Sequence, residues 1–258
     1  MRRKLLNALP AAVLILALLG AWEIYADGGG VNQFVLPAPH EMAEELWNNW
    51  SLISSNLAVT AREVILGLAL ALVSGFTTAV AIHFSPLARR AIYPLAVGSQ
   101  AVPVAVIATL LVFWWGFGIW PKLVVIALIC FFPVVVTTVD GLAAVDPDQL
   151  KLLRTLDASR WQAFRIAEMP AALPAALSGT RIALAVGVIG AYIAEVTTAG
   201  TSAGLGHEIE LDLSTLETSR AWAATAVLFV FAVACFYTLA LIERRLAPWA
   251  HPRKGENR

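Results

Sequence analysis

Six long apolar segments, separated by shorter charged stretches, constrain this chain more than any other feature. An apolar stretch of about 20 residues is long enough to cross the hydrocarbon core of a bilayer as a helix. Only 14% of the residues are charged, whereas soluble domains average roughly 25%. The sequence therefore predicts an all-α, polytopic membrane helix bundle with six transmembrane helices. We place them at residues 5–25, 57–83, 91–115, 122–141, 176–197 and 219–242.

The first apolar segment follows Arg2-Arg3-Lys4, a charged start that is also found in signal peptides. A signal peptide would need a cleavage site with small residues, and no suitable site follows. We expect residues 5–25 to be an anchoring first helix, with cleavage as the alternative. Residues 1–258 would then form a single transmembrane domain with its core bundle at 57–242.

The basic residues define an orientation. If the N-terminus is cytoplasmic, fourteen of the eighteen Lys and Arg residues lie on the cytoplasmic side, which is the bias seen in bacterial membrane proteins. Loops 26–56 and 198–218 contain none and are acidic. We predict a membrane protein with both termini in the cytoplasm, and the resemblance described below implies the bacterial inner membrane. Arg62, Lys122, Arg181 and Arg220 lie near span ends, where we expect them to snorkel to the interface.

The chain lacks the motifs of catalytic and cofactor-binding proteins. It has no G-x-x-x-x-G-K-[ST], H-E-x-x-H or C-x-x-C sequence and no plausible catalytic triad. Cys130 and Cys235 lie in apolar runs, which indicates core residues. We expect a non-enzymatic chain with no metal, no bound cofactor and no nucleic-acid partner, so any ATP turnover must belong to another subunit.

Two of the predicted spans carry a small residue at every fourth position. The series are Gly67, Ala71, Gly75, Ala79 and Gly179, Ala183, Gly187, Ala191. Because lipid tails are as apolar as leucine, membrane helices associate through close backbone contact at such stripes. We interpret both stripes as packing surfaces. The alternative is that these surfaces slide during gating.

A polar segment at residues 142–175 contrasts with the apolar chain around it. Asp146 and Pro147 predict a helix start. Asp157 is expected to end this helix, because Asp tolerates the left-handed conformation. Ser159 can cap a second short helix that reaches Ala167. We expect Pro170 and Pro174 to close the unit before the fifth span, and we name residues 142–175 the coupling segment.

Several motifs together resemble the permeases of bacterial ABC importers. The loop signature of that family (E-A-A, three residues, G, nine residues, I, one residue, L-P) aligns with residues 151–170, although only Pro170 is identical and Lys151 and Asp157 depart from it. The flanking sequences are more specific and are similar to the nitrate, sulfonate and taurine branch, above all to hydroxymethylpyrimidine (thiamine precursor) and riboflavin permeases. These sequences are LPAP at 36–39, QAVPVAV at 100–106, WGFGIWPK at 115–122, ALICFFPVVV at 127–136, LDASRWQAF at 156–164, PAALP at 170–174, SGTRIAL at 178–184, AEV at 194–196, GLG at 204–206 and ERRLAPW at 243–249.

The resemblance implies a mechanism. Two permease copies, as a homodimer, would form the pore. Two cytoplasmic ATP-binding subunits would bind the two short coupling helices, and an extracytoplasmic substrate-binding protein would deliver a small organic solute. The ATPase-coupling residues that it implies are Arg154, Leu156, Asp157, Ala158, Ser159, Arg160, Trp161, Phe164 and Pro170. Two alternatives stay open: Trp161 and Phe164 as lipid-interface anchors, and Arg154 and Arg160 as basic residues that only set orientation.

Polar residues at membrane depth are candidates for the substrate path. Ser99, Gln100 and Pro103 combine polar groups with a helix interruption, and Tyr192 and Glu195 lie in the fifth span. Glu195 could instead be an interfacial acid at the outer surface. We predict these five residues as pore-lining.

A different functional class remains possible from the sequence. An ion-coupled secondary transporter or channel would act without an ATPase, but it would need coupling charges or inverted repeats. No convincing repeat is present, and Glu195 is the single candidate for a coupling charge. A membrane scaffold without transport fits poorly with the glycine-rich middle spans, which prolines interrupt.

Overall fold

The computed structural model describes residues 2–30, 32, 34–198 and 204–250, and its regular elements over these residues are helical. The π-helical turn Phe164–Glu168 follows α8, and two 3₁₀ turns lie at Ser99–Ala101 and Pro248–Ala250. The helices are α1 (Arg2–Asp27), α2 (Pro39–Asn48), α3 (Trp50–Phe84), α4 (Pro86–Gly98), α5 (Val104–Trp115), α6 (Ile119–Ala143), α7 (Pro147–Thr155), α8 (Arg160–Ala163), α9 (Met169–Thr197), α10 (Leu205–Ser214) and α11 (Thr218–Leu246).

Four helical stretches of the described chain are long and apolar enough to cross a membrane. They are Trp50–Phe84, Ile119–Ala143, Arg160–Thr197 and Thr218–Leu246. A bent pair, Pro86–Ala101 with Val104–Trp115, makes a fifth if it counts as one span. The predicted first span coincides with α1, where most side chains of residues 2–12 lie outside the described set. The all-α class is confirmed with four to five candidate spans, and the number six stays a prediction.

The third predicted span is not the continuous helix that we expected over residues 91–115. Its two helices meet at an angle of 100°. Val102 has extended backbone angles (φ −82°, ψ 126°), as expected for a residue before proline. Pro103 itself has no N–H to offer to a preceding turn. The sequence marked Pro103 as an interruption, and the structure shows that it separates two helices.

The chain divides into two compact units, each described by itself. The first contains residues 1–59 and 203–229. Here the indole Nε1 of Trp22 donates to the carbonyl of Pro37 at 3.1 Å, and the Trp22 ring meets Trp222 edge-on at 5.8 Å. Asn56 donates to the Glu208 carboxylate at 3.2 Å and accepts from the Gly204 N–H at 3.0 Å. These bonds fix the start of α10, which lies within what we predicted as a plain outer loop.

The second unit contains residues 60–202 and 230–258. The two small-residue stripes, on α3 and α9, both pack against α6. A Cβ built on Gly67 would lie 2.6 Å from Ile126 Cγ2, and one on Gly187 would lie 2.8 Å from Cys130 Sγ. Helices approach this closely only where a side chain is absent. The packing interpretation of the stripes is therefore confirmed.

The second half of the coupling segment differs from our prediction of a separate short helix. The short α8, the π-helical turn and α9 follow one another without a break, so that one helical run extends over Arg160–Thr197. The Met169 N–H donates to the carbonyl of Phe164, five residues back. Pro170 lies in the first turn of α9, where no N–H is needed. Pro170 and Pro174 therefore do not end the unit.

Candidate functional site

The first helix of the coupling segment, α7, begins and ends as the sequence predicts. The Asp146 carboxylate accepts from the Asp148 N–H at 2.9 Å. Asp157 has φ 55°. The N–H of Ala158 donates to the carbonyl of Leu153 at 3.0 Å, and the N–H of Asp157 donates to Arg154 at 3.1 Å. This is the hydrogen-bond pattern of a Schellman motif, and Asp157 occupies its left-handed position.

The second cap is also at its predicted residue. The Ser159 hydroxyl accepts from the Gln162 N–H at 3.3 Å, and the Gln162 side chain accepts from the Ser159 N–H at 2.7 Å. The two bonds form a reciprocal capping box. The direction in which the chain leaves the turn at Asp157 is thereby set, and α8 begins at Arg160.

Aromatic side chains join the coupling segment to the end of α3. Phe164 is 3% exposed and packs with Leu142 and Ala172. Its ring lies 5.0 Å from the ring of Phe84 and stacks on Trp161 at 5.2 Å. The Phe164 side chain therefore lies inside the fold and not on its surface, and the role in ATPase coupling that we predicted for it stays a prediction.

Polar contacts reinforce this junction. The Arg160 guanidinium lies over the Phe84 ring at 5.2 Å and donates to the carbonyl of His83 at 3.3 Å. The imidazole Nε2 of His83 lies 2.8 Å from the Glu168 carboxylate. Arg160 thus has an intramolecular role in addition to its positive charge. A displacement of the coupling segment would have to move the end of α3 as well.

The remaining surface of the coupling segment is both apolar and basic. Its large apolar side chains Leu152, Leu156, Trp161 and Ile166 are 61%, 70%, 59% and 63% exposed. Arg154, Asp157, Ser159 and Pro170 are exposed as well, whereas Ala158 is half-buried. Exposed apolar residues in a polar, charged setting are typical of a surface that binds another protein.

The five predicted pore-lining residues lie in two places. Ser99, Gln100 and Pro103 are exposed at the bend between α4 and α5, where the Ser99 hydroxyl donates to the carbonyl of Ala96 at 2.7 Å. Tyr192 is half-buried on α9. Glu195 is 1% exposed and accepts from the Thr60 hydroxyl at 2.6 Å. Glu195 is therefore enclosed by the fold, and its assignment to the pore stays a prediction.

Glu195 belongs to a group of buried charges that our sequence reasoning largely missed. Lys122, fully buried, lies 2.9 Å from the carboxylate of Glu63, which is 3% exposed. Our prediction that Lys122 snorkels to the interface is wrong. The sequence did contain a signal that these carboxyl groups are buried. Glu63 and Glu195 each lie one helical turn beyond the end of a small-residue stripe, on the face that packs against α6. Lys122 likewise precedes Ile126, the α6 residue that contacts Gly67, by one turn.

Two of the three span-end arginines, Arg181 and Arg220, also form ion pairs. Arg181 lies 2.8 Å from the Glu243 carboxylate and 5.6 Å from the centre of the Phe236 ring. Arg220 donates through both Nε and Nη2 to one oxygen of Asp212, which is fully buried. Among the described residues, no group of three His, Cys, Asp or Glu side chains is placed to hold a metal ion.

Residues 64–248 match the family described as the binding-protein-dependent transport system inner membrane component. The chain belongs to this family. Its members are membrane components of transport systems, so the expectations of a non-enzymatic chain and of an inner-membrane protein are confirmed. The resemblance to ABC importer permeases is confirmed by the curated relatives.

Those relatives match over nearly their whole length. The formylaminopyrimidine transport permease ThiX of Halalkalibacterium halodurans is 32% identical over 94% of this chain and 96% of its own. The riboflavin transport permease RibX of Chloroflexus aurantiacus is 30% identical over 94% and 90%. The taurine transport permease TauC of Escherichia coli is 29% identical over 90% and 86%.

Solved structures share the fold at low sequence identity. A chain from an amino acid ABC transporter has a TM-score of 0.66 and 20% identity, over 78% of this chain and 96% of its own. A chain from the inward-facing MetNI methionine ABC transporter has a TM-score of 0.65 and 14% identity, over 76% and 97%.

Proposed function

We propose that this chain is the pore-forming permease of an ABC importer that takes up a small organic solute, driven by two cytoplasmic ATP-binding subunits. The observation that carries the proposal is the exposed apolar and basic surface of the coupling segment, held to α3 by buried aromatic contacts. A pore without nucleotide-binding motifs needs such a surface if a separate ATPase is to move it. Family membership and the solved ABC transporters support the same assignment.

The proposed solute is a pyrimidine-type thiamine precursor or a riboflavin-like compound. Sulfonate, taurine and nitrate are the alternative solutes of the same permease branch. The support comes from the transport functions of the relatives ThiX, RibX and TauC. In this proposal the functional unit contains two copies of the chain as a homodimer, and an extracytoplasmic binding protein delivers the solute. Both termini and the coupling segment are cytoplasmic.

The coupling surface can be tested with a matched pair of substitutions. Leu156→Asp places a charge on a residue that is 70% exposed in the coupling segment. Leu216→Asp makes the same change on a residue that is 65% exposed but lies on the predicted outer side. Both variants should insert and purify normally. Only Leu156→Asp should lose co-purification with the ATP-binding subunit, and normal co-purification would refute the contact.

Orientation has its own test. A single cysteine at Ser159 should react with a membrane-impermeant maleimide only after the cytoplasmic side is opened, whereas one at Leu216 should react in intact cells. Cys130 is buried and Cys235 is half-buried, and both can be replaced by alanine beforehand. Labelling of residue 159 from the outside would invert the proposed topology.

An ion-coupled transporter or channel is the second candidate function, and the buried charges of Glu63, Lys122 and Glu195 favour it to a limited extent. Ion-coupled transporters place ionisable groups at membrane depth. In proteoliposomes that contain the permease and its ATPase, uptake should require ATP. Uptake that an ion gradient alone sustains would support this second function and refute the first.

A further inference from the structure

The buried charges at Glu63, Lys122 and Glu195 do not balance if all three groups are ionised. Glu63 and Glu195 would contribute two negative charges, and Lys122 would contribute one positive charge. The three residues are 3%, 0% and 1% exposed. A net charge that is removed from water costs several kcal/mol even after relaxation. A buried cluster of this composition therefore favours one additional positive charge.

The contacts within the group indicate where that charge belongs. Lys122 Nζ donates to one oxygen of Glu63 at 2.9 Å. The second oxygen of Glu63, Oε2, is buried and has no hydrogen-bond partner among the described residues. Thr60 and Glu63 lie three residues apart on one face of α3, and the Thr60 hydroxyl donates to Glu195 at 2.6 Å, so the Glu195 carboxyl group lies beside Glu63. Ionised carboxylates are acceptors only, so two of them can share a hydrogen bond only if a proton is present.

We propose that one proton is bound between the carboxyl groups of Glu63 and Glu195, so that the cluster with Lys122 carries no net charge. The Thr60 hydroxyl donates to Glu195 at 2.6 Å and stabilises the oxygen that carries more negative charge. The ligand of this site is the proton itself. The site joins α3, α6 and α9, because each of these helices contributes at least one member.

The other charged groups of the surrounding helices do not replace this proton. On α3, Arg62 is exposed and acts on Glu63 only through its field. On α9, Arg181 is paired with Glu243, and Tyr192 is half-buried. The sequence of α5, which packs against α6 and α9, contains no titratable residue. In this proposal Lys122 and the bound proton supply the two positive charges that balance the two carboxylates.

Infrared spectroscopy of the purified permease can test this without any partner protein, because carboxylic acids and carboxylates have distinct C=O bands. Difference spectra at neutral pH would compare the wild type with Glu63→Gln and with Glu195→Gln. The wild type should have one carboxylic-acid band that is missing from each variant. In each variant the one remaining carboxyl group of the pair is ionised, because Lys122 balances its charge. Glu210→Gln, at an exposed position, serves as the control and should change carboxylate bands only.

Two results would overturn the proposal. If the difference spectra contain carboxylate bands alone, both residues are ionised in the wild type. If the carboxylic-acid band remains unchanged in both variants, the protonated residue is not part of this pair. If the variants do not fold, the wild type labelled with ¹³C-carboxyl glutamate answers the same question. It should retain a glutamic-acid band at neutral pH, where exposed glutamates are ionised, and absence of that band refutes the bound proton.

Discussion

Replacing Gly179 by alanine should destabilise the bundle by a measurable amount. A Cβ at residue 179 would lie 1.8 Å from Thr137 Oγ1, 2.8 Å from Thr137 Cβ and 3.0 Å from its Cγ2. Ordinary van der Waals contact for a Cβ begins at 3.4 Å. Rotation of the threonine would move Oγ1 away, but the contact with Cβ would still be too short, so α6 and α9 have to separate.

The magnitude follows from two contributions. Overpacking a close helix contact costs about 1–3 kcal/mol. Rotation of Thr137 also breaks the hydrogen bond from its hydroxyl to the carbonyl of Pro133, at 2.7 Å, which is worth about 0.5–1.5 kcal/mol. We expect Gly179→Ala to lower the free energy of unfolding by about 1.5–4.5 kcal/mol, the sum of these two ranges. SDS titration in mixed micelles measures this quantity.

Two further variants separate packing from backbone effects. At Gly98 a new Cβ would meet no atom within 4 Å, so Gly98→Ala should leave stability unchanged or slightly raised by helix propensity. Thr137→Ala removes Oγ1 and Cγ2, two of the three contacting atoms, so the double variant with Gly179→Ala should be more stable than the sum of the single effects predicts. Strict additivity, or equal effects at Gly98 and Gly179, would refute the steric argument.

Three other perturbations have defined outcomes. Lys122→Met breaks a buried ion pair and should lower the free energy of unfolding by about 3 kcal/mol or more. Lys151→Met breaks an exposed pair and should change the free energy of unfolding little. Similar losses in the two variants would contradict the role of burial. Asp157 has φ 55°, a left-handed conformation that glycine adopts easily and valine does not. Asp157→Gly should therefore leave stability unchanged, and Asp157→Val should lower the free energy of unfolding by about 1–2 kcal/mol. Equal stability of the two variants would argue against a left-handed residue. A hydrogen bond to Glu23 raises the pKa of His40 above 6.5, so this pairing should stabilise the protein fully below pH 6.5 and lose its effect as the pH rises through the folded-state pKa. His40→Gln should therefore lower the melting temperature at acidic pH and not at alkaline pH, and a loss confined to alkaline pH would reverse the assigned sign.

Features that depend on neighbouring residues could be predicted from the sequence. The caps at Asp146 and Ser159, the left-handed Asp157 and the interruption at Pro103 each need only a few residues. The two small-residue stripes were also visible, because their helical spacing depends on a single helix. The family resemblance rested on similarly local motifs and was confirmed over most of the chain.

Features that depend on how separate helices are rotated against one another could not be predicted. Lys122 pairs with Glu63, 59 residues away, and its position near a span end favoured a snorkelling side chain instead. Phe164 and Trp161 share a helical face, but the sequence could not tell that Phe84 and Leu142 cover Phe164. The helix continues through Pro170, in the first turn of α9, and through Pro174, inside α9, although we expected both prolines to end it.

The unbroken helix Arg160–Thr197 has 38 residues and is therefore about 57 Å long at the ordinary rise per residue. Trp161 lies near one end of this helix, and Tyr192 and Glu195 lie near the other. If the helix tilts at the Trp161 end, the Glu195 end must move with it, because the helix has no break between them. The π-helical turn at Phe164–Glu168 is the single irregular turn in this stretch. Mechanical work done at one end of this helix would therefore be delivered beside the buried carboxyl groups at the other.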